Sequence, residues 1–225
     1  MTIYIANLYN DLMNLYGDNG NLKALRYAFN SQGINAVIEN ITIGSSFNLD
    51  KYDILYNGSG TENNEDIVLK DIVKHKKEIK EYIENNKFII ATGNSVELFG
   101  KTIDDKKALN IFKYTSKRVY KRIVGDIFTT IHGINDKIIG FQNRGSIIEN
   151  NEYPLHNEDE NLGVKYKNFY GTYVIGPILV RNPELLKEIV SKVIKSKEEN
   201  FKFRSFDLKL NKQAYKNYLE TYYNK

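Results

Sequence analysis

The chain has 225 residues, which is enough for one domain of generous size or two small ones. Hydrophobic residues make up 41% and aromatic residues 12%, so a sizeable core is possible, and the lack of cysteine excludes disulfides, cysteine-based zinc sites and thiol catalysis. The net charge of +4 comes from interspersed Lys and Glu, which is typical of a solvated surface, whereas a nucleic-acid interface needs a basic stripe.

The sequence indicates a cytoplasmic protein. No apolar run reaches about 18 residues, so we predict no membrane span. The N-terminal MTIYIANLYNDL lacks a basic region followed by an apolar region and a small-residue cleavage site, so we predict no signal peptide. We also predict no cofactor and no metal site, and binding to nucleic acid is not expected.

The first hundred residues predict alternating strands and helices. Strands are predicted at 2–8, 35–41, 52–56 and 88–91, and helices at about 22–32 and 64–86. Asp18 or Asn19, within a strong turn signal, can cap the first helix, and Gly33 ends it. This alternation predicts an α/β fold with a mainly parallel central sheet and helices on both faces.

Two turns follow predicted strands at the edge where such sheets bind ligands. The turn Asn57–Thr61 is glycine-rich and precedes a helix, so it is either an anion cradle or an ordinary turn. The turn Thr92–Ser95 follows the apolar run Phe88–Ala91, and the helical spacing after it stops at Gly100. Strand, sharp turn and helix together predict a nucleophile elbow, which exposes one side chain at the sheet edge.

The second half is richer in predicted strands. Turns are predicted at Gly125, His132–Gly133, Gly140 and 150–151. The predicted strands are 108–114, 118–123, 126–131, 137–141, 163–166 and 169–174, and the predicted helices are about 183–197 and 208–223. We predict a single domain over residues 1–225, with an added helical segment at about 200–225.

Six motifs occur in the order of one known family. They are LYNDLMNLYGDNGN at 8–21, NGSGTENNE at 57–65, ATGNSVELFG at 91–100, KALNIFKYTSKRVYKRIVGD at 107–126, GFQNRGS at 140–146 and GTYVIGPILVRNPEL at 171–185. The chain resembles the class I glutamine amidotransferases of the cobyric acid synthase-like branch. Within that branch it is most similar to the glutaminase subunits of lipid II isoglutaminyl synthases. The resemblance covers nearly all of the chain up to about residue 197 and implies their flavodoxin-like fold.

The resemblance also implies a reaction and the positions that carry it. In the family a cysteine on the elbow attacks glutamine, a histidine on a later loop carries the proton, and backbone N–H groups hold the oxyanion. The ammonia then passes to a ligase partner. The family's nucleophile position falls on Gly93, and its histidine position falls on Ile175. Asn94 and Ser95 replace two glycines, and Glu97 replaces a glutamine.

These replacements predict that no catalytic residue is intact. Nucleophile and base act as a unit, so the loss of either costs orders of magnitude in rate. Ser95 lies two residues past the elbow tip, and we expect it to cap the helix. Arg122 falls where the family has an arginine that helps to hold the glutamine carboxylate, and Arg144 replaces a histidine of the family's Asn-His pair.

Three hypotheses follow. The first is a subunit without glutaminase activity that forms a heterodimer with an amidating ligase related to the Mur ligases, as its structural or regulatory partner. The second is an active glutaminase or amidotransferase subunit that supplies ammonia for peptidoglycan or cobyric acid-type amidation. The third is a sensor of glutamine or another small carboxylate. The predicted ligand-binding residues are Arg122, Gly58, Ser59, Gly60, Asn94 and Ser95.

The histidines carry none of these hypotheses. His75, His132 and His156 fall outside the family motifs, on a predicted helix face, a hairpin turn and a polar loop. We expect each of them to be solvated, and not catalytic or metal-binding.

Overall fold

The computed structural model describes residues 1–46 and 48–223. Within them the strands are β1 Thr2–Leu8, β2 Asn35–Ile41, β3 Ile54–Asn57, β4 Phe88–Thr92, β5 Thr102–Ile103, β6 Lys106–Lys107, β7 Thr115–Thr129, β8 Ile138–Glu149, β9 Gly163–Tyr166 and β10 Phe169–Thr172. The helices are α1 Asn19–Ser31, α2 Glu62–Ile72, α3 Lys76–Glu84, α4 Ile178–Arg181, α5 Pro183–Lys197 and α6 Lys209–Tyr222.

A six-stranded sheet forms the centre, in the order β2-β1-β3-β4-β10-β9. Its first five strands are parallel, and β9 runs antiparallel to β10. Strands β3, β4 and β10 are buried along their whole length, as expected for a parallel sheet covered on both faces. The predicted α/β class with a mainly parallel central sheet is confirmed, and β1 and β2 have the predicted bounds.

The helices depart from the predicted bounds in two places. The predicted helix over 64–86 is divided by a 3-10 turn at Val73–His75 into α2 and α3. Helix α1 begins at Asn19, and Asp18 stands at its N-cap position without a side-chain capping bond. The prediction that Asp18 caps the helix with its carboxylate is therefore wrong, because that carboxylate is used elsewhere. Gly33 follows the helix with φ of +75°, as the predicted stop requires.

A second sheet, in the order β6-β5-β7-β8, is dominated by the long antiparallel hairpin of β7 and β8. The predicted turns at Gly125 and Gly140 are wrong, because both glycines lie inside these strands, opposite Gln142 and Ile127. The predicted turn at His132–Gly133 is confirmed. The predicted strand at 108–114 is also wrong, since that segment is irregular and its N–H groups donate to carbonyls of the elbow helix.

The C-terminal segment returns over the domain. Phe201, Phe203 and Phe206 pack against the core, and the last helix, α6, lies close to its predicted range. Tyr215 donates from its hydroxyl to the carbonyl of Lys137 at 2.7 Å. Across the described residues, none of the helices has the length and apolar character needed to span a bilayer.

Candidate functional site

The predicted elbow is present at the carboxyl edge of the main sheet. Strand β4 ends at Thr92, the chain turns at Gly93, and a 3-10 helix runs over Gly93–Phe99. Gly93 has φ of +61°, which lies in the left-handed region that favours glycine. The helix is followed by Gly100, where the sequence predicted its end.

The space in front of Gly93 is filled by the chain itself. A Cβ atom added at Gly93 would lie 2.3 Å from Ser59 Oγ, 2.5 Å from Ser59 Cβ and 3.2 Å from Ile175 Cγ2. Gly93 and Ile175, which are 82 positions apart in the sequence, are therefore neighbours across the elbow. Both residues and Ser59 are buried. No side chain larger than hydrogen fits at Gly93 unless Ser59 moves.

The glycine turn lies beneath the loop that precedes α1. A Cβ at Gly58 would lie 2.4 Å from the carbonyl oxygen of Met13, and one at Gly60 would lie 2.4 Å from the sulfur of Met13. The N–H of Leu15 donates to the carbonyl of Ser59 at 2.8 Å. Gly58 and Gly60 are therefore required for the close approach of this loop, and the loop covers the turn.

The backbone N–H groups of the turn donate to acceptors within the chain. The N–H of Ser59 donates to the carboxylate of Asp18. The N–H of Gly60 donates to Asn94 Oδ1 at 2.9 Å, and Ser59 Oγ lies 3.5 Å from the same oxygen. An anion at this turn would have to displace Asn94 and Asp18.

Asp18 is the buried charge of the elbow region. Thr92 Oγ1 donates to its carboxylate at 3.0 Å and lies 3.1 Å from the hydroxyl of Tyr56. Burial raises the pKa of Asp18 to about 6, although the bonds from Ser59, Thr92 and Tyr56 favour the ionised form. The sequence identified Asp18 only as a helix cap, because its partners come from later strands.

Ser95 has a structural role different from the predicted one. Its hydroxyl donates to the carbonyls of Asn57 and Thr92, each at 2.8 Å, and the side chain is fully buried. The prediction that Ser95 caps the helix is wrong, because its hydroxyl acts as a donor and does not accept a helix N–H. These hydrogen bonds link the end of β3 to the end of β4, and both acceptors are backbone carbonyls of the chain.

The two arginines named from the sequence lie on the hairpin. Arg122 pairs with Glu62 at the start of α2 and donates to Asn143 Oδ1 and to the carbonyl of Asn143, both at 2.7 Å. Arg144 is buried, donates to the carbonyl of Asn161 at 2.9 Å, and lies over the ring of Tyr173 at 4.8 Å. The guanidinium of each arginine is therefore bound to groups of the chain, and only Nε of Arg144 has no partner within the described residues.

One histidine prediction is wrong. His156 is buried, and its Nε2 lies 2.9 Å from Thr172 Oγ1. Burial lowers the pKa of His156 to about 3, so the ring is neutral. The polar sequence around His156 suggested a solvated loop, but the isolated β-bridge with Ile131 carries the ring into the core. His132 is exposed, as predicted.

Beside the elbow lies a group of charges that sequence reasoning missed. Glu65 on α2 and Glu97 on the elbow helix are buried, and both approach Arg118 on β7, at 2.5 and 3.8 Å. Burial raises the pKa of Glu97 to about 7 and holds that of Glu65 well above its usual value. The available signal was the position of Glu97 between Val96 and Leu98, whereas Glu65, between Asn64 and Asp66, gave no such signal.

Comparison with known proteins identifies the family. The model of the CobB/CobQ-like glutamine amidotransferase domain matches residues 4–183. The chain belongs to the CobB/CobQ-like glutamine amidotransferase family. The match covers the elbow, the glycine turn and the hairpin, and it ends at the start of α5.

Two curated relatives of this family are named "Lipid II isoglutaminyl synthase (glutamine-hydrolyzing) subunit GatD". The chain is 30% identical over 210 residues to the one from Streptococcus pneumoniae, an alignment that covers 86% of this chain and 81% of the relative. It is 28% identical over 228 residues to the one from Staphylococcus aureus, covering 95% and 93%. The predicted resemblance is thereby confirmed.

Solved structures of glutamine amidotransferases share the fold. One matches with a TM-score of 0.60 and 13% identity over 84% of this chain and 98% of its own. Another, from Thermotoga maritima, matches with a TM-score of 0.57 and 12% identity over 96% of this chain and 92% of its own. At these identities the likeness concerns the fold alone, and it confirms the predicted class I amidotransferase architecture.

Proposed function

We propose that this chain is a glutamine amidotransferase-like subunit that does not hydrolyse glutamine. Its role is that of a structural or regulatory partner of an amidating ligase related to the Mur ligases, in a complex of the lipid II isoglutaminyl synthase type. The observation that carries the proposal is the filled space at Gly93, where Ser59 and Ile175 leave no room for a nucleophile.

The electrostatics of the elbow support the same proposal. An oxyanion hole needs N–H groups that point at the position where the oxyanion forms. At the glycine turn, the N–H of Gly60 donates to Asn94 and that of Ser59 donates to Asp18. A negative charge developing on a substrate would also meet the Asp18 carboxylate, which repels it whenever Asp18 is ionised.

The partner is proposed from the relatives. Both curated relatives are named as subunits of a synthase, so each belongs to an assembly. The alignment with the Staphylococcus aureus relative covers 95% of this chain, so the similarity is not limited to the elbow. Retention of the fold around an elbow without a nucleophile supports a role in which the shape of the subunit, and not its hydrolysis, is used.

The proposal is tested by isolating the chain from its native lysate with whatever it binds, and measuring ammonia release from glutamine by the chain alone and by the complex. We expect a Mur-ligase-like protein to co-purify, and no ammonia above buffer from the chain alone. The double variant Gly93→Cys with Ile175→His should also stay inactive, because Ser59 still occupies the space beside residue 93.

Two results would overturn the proposal. Ammonia release by the wild-type chain that is abolished by Arg122→Ala would favour the second hypothesis, an active glutaminase subunit. A monodisperse monomer that binds no ligase homologue would remove the partner role. The third hypothesis, a carboxylate sensor, stays open, but a ligand of Arg122 would have to compete with Glu62 and Asn143.

A further inference from the structure

Lys165 lies on the edge strand of the main sheet, where β9 pairs with β10. Its direct cross-strand neighbour is Tyr170, and Lys165 Nζ lies 4.2 Å from the centre of the Tyr170 ring. Tyr170 is buried, whereas Lys165 is only half-buried. The alkyl chain of Lys165 therefore packs against an aromatic ring, while its amine can still be reached from solvent.

Lys165 forms no ion pair with a carboxylate within the described part of the chain. Its Nζ donates to the backbone carbonyl of Lys167. Lys167 itself pairs with Glu84 at 2.7 Å. On α5, Lys192 pairs with Glu188 at 2.8 Å. The Lys165 ammonium therefore loses part of its hydration without an opposite charge in direct contact, which favours the neutral amine.

A second ammonium faces Tyr170 from α5. Lys192 lies beside the hydroxyl of Tyr170, and its charge opposes protonation of Lys165, while Glu188 acts more weakly in the other direction. Burial, together with the charge of Lys192, lowers the pKa of Lys165 to about 8. At about pH 7.5 roughly a quarter of Lys165 is then neutral, compared with about one in a thousand for an ordinary lysine.

We propose that Lys165 is a nucleophilic lysine that accepts the acyl group of a small acyl phosphate. Its neutral Nζ attacks the carbonyl carbon and forms a C–N bond, and the bond from this carbon to the phosphate oxygen breaks. The phosphate leaves with the electron pair, and the proton lost from Nζ passes to solvent. A lysine that is desolvated or lies next to another cation is activated as a nucleophile at neutral pH.

The charges around Lys165 favour an amide product. With Lys165 protonated, Lys165, Lys192 and Glu188 together carry a net charge of +1. An amide at Lys165 leaves the Lys192–Glu188 pair with no net charge. A carbamate formed from carbon dioxide would instead leave a net charge of −1 in a partly buried place, which costs free energy.

Lys192 also favours a phosphate as the leaving group. An acyl phosphate carries negative charge on its phosphate, and the Lys192 ammonium attracts this charge towards Lys165. A neutral thioester donor gains nothing from the same ammonium. The cluster therefore combines a nucleophile with a positive charge that selects among acyl donors.

The test is reaction of the full chain with acetyl phosphate, with the acetylation rate of each lysine measured by tandem mass spectrometry. Lys167 is the matched control, because it is exposed, lies two positions away, and has its pKa raised by its hydrogen bond to Glu84. At about pH 7.5 we expect Lys165 to react at least about ten times faster than Lys167, because it has far more free amine. The rate at Lys165 should level off above about pH 8, while that at Lys167 keeps rising.

Two variants on α5 test the role of the second cation. Lys192→Gln should slow acetylation of Lys165 several-fold at neutral pH, because the pKa of Lys165 rises and the phosphate is less attracted. Lys195→Gln is the matched control, since Lys195 lies on the same helix but over the ring of Phe203 at 6.0 Å. It should leave the rate at Lys165 unchanged.

Two outcomes would overturn the nucleophilic role. One is equal acetylation rates at Lys165 and Lys167, and the other is a rate at Lys165 that Lys192→Gln does not change. A ratio of the Lys165 rate to the Lys167 rate that is higher with a neutral acetyl thioester than with acetyl phosphate would overturn the choice of donor. These measurements involve neither glutamine nor a ligase, so they are independent of the proposed function.

Discussion

Two buried polar regions lie side by side in this protein and differ in what stabilises their negative charge. In the elbow region, formed by Asp18, Ser59 and Gly93–Ser95, the N–H of Ser59 and the hydroxyl of Thr92 donate to the single carboxylate of Asp18. Beside it, the buried carboxylates of Glu65 and Glu97 share the guanidinium of Arg118. Neutral donors therefore hold the charge of the elbow region, whereas the glutamate pair depends on one shared cation.

The elbow region shows that a site can keep its outline and lose its space. In the elbow region the chain supplies Asn94 Oδ1 and Ser59 Oγ to the space that a substrate would need. Conserving the outline of a site is therefore not the same as keeping it available.

The largest expected effect tests whether the elbow region is full. Gly93→Ala should lower the free energy of unfolding by about 4 kcal/mol, because its Cβ would overlap Ser59 and because alanine is strained at φ of +61°. Chemical denaturation of the variant and the wild type measures this directly. If the space in front of Gly93 were empty, the loss in the free energy of unfolding would be much smaller.

Gly133→Ala is the matched control for this comparison. Gly133 also has a positive φ, of +83°, but a Cβ there would have no atom within 4 Å. It therefore isolates the cost of the backbone conformation, about 1 kcal/mol. If the two alanine variants lost equal stability, the space in front of Gly93 would have to be open, and the argument against a nucleophile there would fail.

His156 is a buried titratable group outside both regions, with its Nε2 paired with Thr172 and its Nδ1 not paired within the described residues. Its pKa of about 3 lies below the ordinary value of 6.5, so the unfolded chain takes up a proton at a higher pH than the folded chain does. Stability should therefore be lost as the pH falls from 6.5 towards 3. Between pH 6.5 and 4 we expect a loss of about 3 kcal/mol from this group, measured by denaturation at each pH.

His156→Gln should remove this part of the pH dependence, whatever its stability at neutral pH. His132→Gln, at an exposed position in a turn, should leave the slope of the wild type unchanged. If both variants had the wild-type slope, the acid sensitivity of the chain would come from other groups and His156 would not be held neutral in the core.

The sequence predicted those parts of the fold that depend on local patterns. The apolar runs of β1 and β2 gave the observed bounds, because each strand is short and has turn signals at its ends. A turn was wrongly predicted at Gly125, because glycine between two short apolar runs is usually a turn residue. In the structure Gly125 pairs with Gln142 on an open sheet, and its added Cβ would meet no atom within 4 Å. The local sequence does not distinguish a glycine in a turn from a glycine inside a strand.

The candidate site was predictable in position but not in its contacts. The strand-turn-helix pattern placed Gly93 at the sheet edge, and the glycine turn was placed beside it. The occupants of the space could not be predicted, since Ser59 and Ile175 meet there only through the parallel pairing of β3, β4 and β10. The contact of Glu65 and Glu97 with Arg118 was missed for the same reason, because the three residues come from separate segments.

The smallest expected effect tests the pairing that distinguishes the elbow region. Asn94→Ala removes the acceptor of the Gly60 N–H, which should lower the free energy of unfolding by about 1–2 kcal/mol, because that donor lies in a partly buried position. Asn14→Ala is the control, since exposed Asn14 accepts the N–H of Asn19 at 3.2 Å and water can replace it. It should cost less than about 0.5 kcal/mol. Equal losses would mean that water reaches the Gly60 N–H as easily as an exposed one, and the elbow would then be open to a ligand.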